Sequence, residues 1–138
     1  MDKSKVTLRF VGDDVDPQHV STLLELSPSH SESKGMPVEN HPSRIYPTNY
    51  WGIDSPLSEK ASIADHIKYL LALLEPRKAA IVKLTKGGYE PNFYCGLFYT
   101  RYSGYIAFDP DVLGRIARLG ASLDIHVYHN QDDNQTTE

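Results

Sequence analysis

The sequence predicts a two-layer α+β fold. A mainly antiparallel mixed sheet of about six strands carries three helices, mostly on one face. Three observations lead there. Hydrophobic periods of two and of three to four residues alternate along the chain. Two apolar strands run into Asp-Pro pairs that start amphipathic segments: Val6 to Val11 before Asp16-Pro17, and Tyr105 to Phe108 before Asp109-Pro110. An Asp accepts hydrogen bonds from free N–H groups at a helix start, and Pro at the first helical position has no N–H to leave unpaired. The recurrence reads as a strand–helix–strand pseudo-repeat, each copy suited to a right-handed crossover between parallel strands. Finally, 138 residues suit one domain with an ordinary core, assigned to residues 1–129, with a polar, disordered tail at 130–138.

Along the chain, Lys5 to Val11 alternates, with Val6, Leu8 and Phe10 on one face and Thr7 and Arg9 on the other. Gly12 ends that strand. The helix His19 to Leu26 turns Val20, Leu23 and Leu24 inward and stops at Pro28. Ser27 to Pro47 lacks a sustained period and reads as a long loop. Tyr46 to Asp54 reads as a second strand. Ser62 to Glu75 is the clearest helix, with Ile63, Ile67, Leu70, Leu71 and Leu74 on one stripe. Ser62 and Asp65 form a capping pair, and Pro76 ends the helix. Ala79 to Leu84, nearly all apolar, reads as a covered strand. Asn92 to Thr100 carries Phe93, Cys95, Leu97 and Tyr99 on one face and Tyr94 and Phe98 on the other. Ser103-Gly104 turns it into the strand Tyr105 to Phe108, as a hairpin. A last helix, Val112 to Leu119, is capped by Gly120. The final strand sets Leu123, Ile125 and Val127 against Asp124, His126 and Tyr128.

Composition narrows the function classes. A net charge of -4 with scattered Lys and Arg argues against nucleic acid. The longest apolar stretch, Tyr69 to Leu74, is too short to span a bilayer. Cys95 is the single cysteine, so no internal disulfide forms, and the polar N-terminus carries no signal core. The expectation is a soluble cytoplasmic protein.

Several segments together resemble a known family: Phe10 to Pro17 leading into Leu23 to Pro28, then Trp51-Gly52-Ile53-Asp54-Ser55, the leucine-rich helix before Pro76, and Leu119 to Ile125. This ordered set is similar to the bacterial family catalogued as domain of unknown function 4279, from about Val6 to Tyr128. The resemblance implies a small single-domain protein of mostly bacterial occurrence, and it brings no catalytic residues. Some small bacterial families of this style serve as immunity proteins against toxins, an expectation by analogy.

Asp13, Asp14, Asp16, Asp109 and Asp111 suit helix capping better than a cation site, since their spacing is not that of an EF-hand loop. The six histidines form no zinc motif. Cys95 lies mid-strand between apolar neighbours, the place of a small hydrophobe rather than a nucleophile. No phosphate loop or nucleophile elbow is present, so no cofactor or metal is expected. The aromatic set remains. Tyr94, Phe98, Arg101 and Tyr102 form an expected partner surface, with Trp51 and His126 as further binding candidates, Trp51 being equally the first choice for the core.

The resulting expectation is a non-enzymatic module that binds another protein through the aromatic sheet face and the 27–47 loop. A toxin is one such partner, and a second copy of the chain is another. The alternative is a small enzyme or ligand binder with a pocket between that loop and the sheet, lined by Trp51, Asp54, Asp124 and His126.

Overall fold

The computed structural model describes residues 2–100 and 104–129. Seven strands and four α-helices form among them: β1 (Lys3–Gly12), α1 (Pro17–Leu24), β2 (His30–Glu32), β3 (Pro37–Val38), β4 (His41–Ile45), β5 (Asn49–Asp54), α2 (Ile63–Leu74), α3 (Lys78–Lys86), β6 (Asn92–Tyr99), α4 (Pro110–Leu119) and β7 (Ser122–His129). A 3-10 turn, Glu75–Arg77, joins α2 to α3.

Five strands make one sheet in the order β2-β5-β1-β6-β7, and β3 and β4 pair separately. β1 is antiparallel to both β5 and β6, and β2 is antiparallel to β5; β6 and β7 run parallel. The fold is therefore α+β with a mainly antiparallel mixed sheet. β1 is central because its inward side chains, Val6, Leu8 and Phe10, are all buried. Register places Val6 beside Cys95, Leu8 beside Phe93 and Ile53, and Phe10 beside Trp51. Against this face pack Val20 and Leu24 of α1, the α2 stripe, Ile81 and Leu84 of α3, and Val112, Ile116 and Leu119 of α4.

Both Asp-Pro pairs cap helices. Asp16 accepts from the Gln18 N–H at 3.0 Å, and Asp109 accepts from the Val112 N–H at 2.9 Å. The two units differ in the sheet: β6 and β7, on either side of α4, are adjacent and parallel, whereas β1 and β2, on either side of α1, run parallel with β5 inserted antiparallel between them.

Three expectations are corrected. Ala79 to Leu84 is not a strand but lies within α3. Ile81 and Leu84 are buried at helical spacing while Ala79 and Val82 face outward, so the segment has one covered face where a covered strand has two. Tyr105 to Phe108 forms no strand, because the outer side of β6 is taken by β7. Ile106 and Phe108 tuck against the core from an irregular segment, and Tyr105 is 91% exposed. The 27–47 segment is not one loop. β2 joins the main sheet, and β3 and β4 form a hairpin whose turn holds Asn40 at φ 70. The tail at 130–138 lies outside the described residues.

Candidate functional site

Strand alternation sends every second side chain of the main sheet away from the helices. On that open face Thr7 and Arg9 of β1 stand beside Tyr94 and Asn92 of β6, and Tyr94 and Phe98 stand beside Asp124 and Tyr128 of β7. His126 lies opposite Gly96.

These side chains form one connected lattice. The Phe98 and Tyr128 rings stack at 4.8 Å with an interplanar angle of 8°, and Tyr128 stacks on His126 at 4.0 Å and 15°. Tyr94 meets His126 edge-on, its hydroxyl 3.1 Å from His126 Nδ1 and 3.2 Å from the Tyr128 hydroxyl. The hydrogen bond to Tyr128, with burial, holds the Tyr94 phenol above its ordinary pKa. The Arg9 guanidinium lies 4.3 Å from the Tyr94 ring centroid, a cation–π contact. Arg9 Nε donates to Asn92 Oδ1 at 2.8 Å, and Asn92 Nδ2 donates to Ser122 Oγ at 2.8 Å. Arg9 Nη2 stands 3.8 Å from Asp124 Oδ2. Gly96 leaves room beneath the rings: a Cβ there would touch Phe98 and Tyr128 at ordinary distances of 3.6 and 3.7 Å.

Tyr94, Phe98 and His126 thus come together on the open face. Trp51 does not join them. It is fully buried on the helix side, where its indole N–H donates to Ser21 Oγ at 2.9 Å, so it serves the core. Arg101 and Tyr102 lie outside the described residues. The lining proposed for a loop–sheet pocket is dispersed. Asp54 accepts from the Thr7 hydroxyl at 2.6 Å on β5, three strands from Asp124 and His126 on β7. At the usual strand spacing that is roughly 14 Å. Arg9, Asn92 and Tyr128 belong to the lattice but were not expected. Their signal was the outward parity of β1, β6 and β7; what joined them was a register between segments far apart in sequence.

Other reactive groups are occupied. Burial pushes the Cys95 thiol up to about 12, with Asp124 adding to the effect, so thiolate is scarce at neutral pH. A cleft of ≈ 340 Å³ lined by Thr7, Asp54, Ser55 and His66 holds a Ser–His contact, Ser55 Oγ to His66 Nδ1 at 2.7 Å. No carboxylate orients that histidine: Nε2 is buried without a hydrogen bond of normal geometry, and Ser55 Oγ also accepts from the Leu57 N–H at 3.3 Å. This is a partly buried polar tie between the residue after β5 and α2, not a triad. Asp13 is held by Lys34 and Thr48, both at 3.0 Å, which keep its carboxyl below the ordinary range. Among the described residues no three His, Cys, Asp or Glu side chains are grouped to hold a metal ion.

A family model matches residues 2–130, nearly the whole chain. The chain belongs to the DUF4279 family, a domain of unknown function. Comparison with curated proteins and with solved structures gives no match. No helix among the described residues is long and apolar enough to cross a membrane.

Proposed function

We propose that this protein is a non-enzymatic binding module whose open sheet face docks another protein. One observation carries the reading: the face opposite the helices holds a connected row of rings, Tyr94, His126, Tyr128 and Phe98, with Arg9 over its end. Rings with polar tips, and an arginine already oriented, are the residue types that anchor protein interfaces. Their mutual stacking fixes the rotamers beforehand, so little side-chain entropy is lost on docking. Rings stacked on one another along an open sheet face suit contact with a partner surface better than enclosure of a small substrate.

A toxin-neutralising role in a bacterial cytoplasm is the concrete form of this reading. The net charge of -4 favours a basic target and would speed its encounter by steering. The test is affinity capture from the native host with tagged wild type, Tyr94→Ala and Phe98→Ala. The expected result is one stoichiometric protein partner, with affinity lowered by about 2 kcal/mol in each variant while the chain stays folded. Equal capture by folded variants would remove the sheet face from the interface.

A further inference from the structure

β7 forms one edge of the main sheet, and all eight of its residues are exposed or only partly covered. The opposite edge, β2, is three residues long. Long edge strands template further pairing unless blunted by charged side chains, Pro or a bulge; β7 contains neither Lys nor Pro, and its one carboxylate, Asp124, stands on the open face rather than the helix side. Its helix-side row also stays open. α4 buries Val112, Ile116 and Leu119, while Ile125 and Val127 remain 36% and 53% exposed.

We infer that two copies of this chain pair antiparallel along β7, with Ile125 opposite the partner's Ile125. The strand is self-complementary about that residue. Leu123 then lies opposite the partner's Val127 on the helix side. On the open face Asp124 lies opposite the partner's His126. The two-fold repeats each contact, so a carboxylate meets an imidazole twice. Moving the centre to His126 would instead set two imidazoles against each other and leave Asp124 facing a tyrosine. The two-fold axis stands perpendicular to the sheet. It joins two five-stranded sheets into one and keeps both ring lattices on the same side.

The test places Cys at Ile125. Cys95 is the cross-strand neighbour of Ile125, so the background is Cys95→Ala. Cys95→Ala/Ile125→Cys is expected to give a covalent dimer under mild oxidation, and Cys95→Ala alone to give none. Adding Val127→Lys places a charge against the partner's Leu123 twice per dimer, and should weaken association at least about tenfold. Light scattering of the wild type across a concentration series gives a reading free of engineered residues: the mass should rise toward the dimer. A wild type that stays monomeric at the highest concentration overturns the proposal. So does a folded Ile125→Cys chain that cross-links only when mixed with a Val127→Cys chain. Neither result bears on capture of a partner by Tyr94 and Phe98, so the two readings fail separately.

Discussion

His66 shows how one residue can tie stability to pH. It sits on α2 at 1% exposure, with Nδ1 bound to Ser55 and Nε2 buried. Burial pushes the imidazole below its ordinary value of 6.5, and the Ser4 backbone and Asp65 pull it back only in part. The folded chain therefore refuses a proton that the unfolded chain accepts. At neutral pH both states hold a neutral imidazole, so there is no penalty. As pH falls below the unfolded value, the unfolded state gains protons and stability drops, until the lower folded value is reached. Urea unfolding at about pH 7 and about pH 5 should show this loss, and His66→Leu should show a smaller slope over the same interval. His66→Leu will also be less stable at neutral pH, because it removes the hydrogen bond that ties α2 to Ser55. An unchanged slope would mean that other groups set the acid limb. Glu75 adds a separate loss at lower pH, since Arg115 holds its carboxyl below the ordinary range through two 2.8 Å hydrogen bonds.

Among the elements, α4 depends most on its ends. Asp109 caps its start, and at its finish Gly120 adopts φ 77, with the Gly120 and Ala121 N–H groups returning to Ala117 and Ile116. Asp109→Ala should cost about 1 kcal/mol, measured by chemical denaturation. Gly120→Ala should also destabilise, since a Cβ is strained at that φ although nothing lies within 4 Å of it. Both caps were legible in the sequence because capping is local chemistry. So were β1, α2 and β6, whose periods match the faces they bury, and β5 and β7, whose apolar content marks them as strands. Two elements were misread because the deciding contacts are remote. Ala79 to Leu84 has the composition of a strand, but the turn at Pro76 carries α2 directly into another helix. Tyr105 to Phe108 alternates like a strand, but β7 occupies the place where it would pair. The candidate site divides in the same way. Outward Tyr94 and Phe98 follow from parity within β6. The link from Arg9 through Tyr94 to His126 needed the β1–β6–β7 register, which local sequence does not encode.

At the scale of the molecule, the core and the β3–β4 hairpin are separable. Every residue from 37 to 45 is exposed or partly so, and the hairpin shares no ladder with the main sheet. Its base is already closed, with the Gly35 N–H donating to the Tyr46 carbonyl at 3.0 Å and the Tyr46 N–H to the Met36 carbonyl at 2.9 Å. The ties holding this region to the core lie outside the hairpin: Lys34 and Thr48 on Asp13, and the Asn49 side chain on the Asp13 carbonyl. Replacing residues 37–45 with a short Gly-Ser link should therefore remove almost no buried apolar area. It also shortens a loop whose closure entropy varies only slowly with length. Stability should change by less than about 1 kcal/mol, and the denaturant slope should barely fall, since that slope follows the area exposed on unfolding. Capture of a protein partner then acquires a second use. Binding retained without the hairpin leaves the ring lattice as the docking surface. Binding lost at unchanged stability makes the hairpin part of the interface, where it would supply the contacts expected of the 27–47 segment. A loss of several kcal/mol would instead show that the hairpin supports the core, through contacts that its exposure does not reveal.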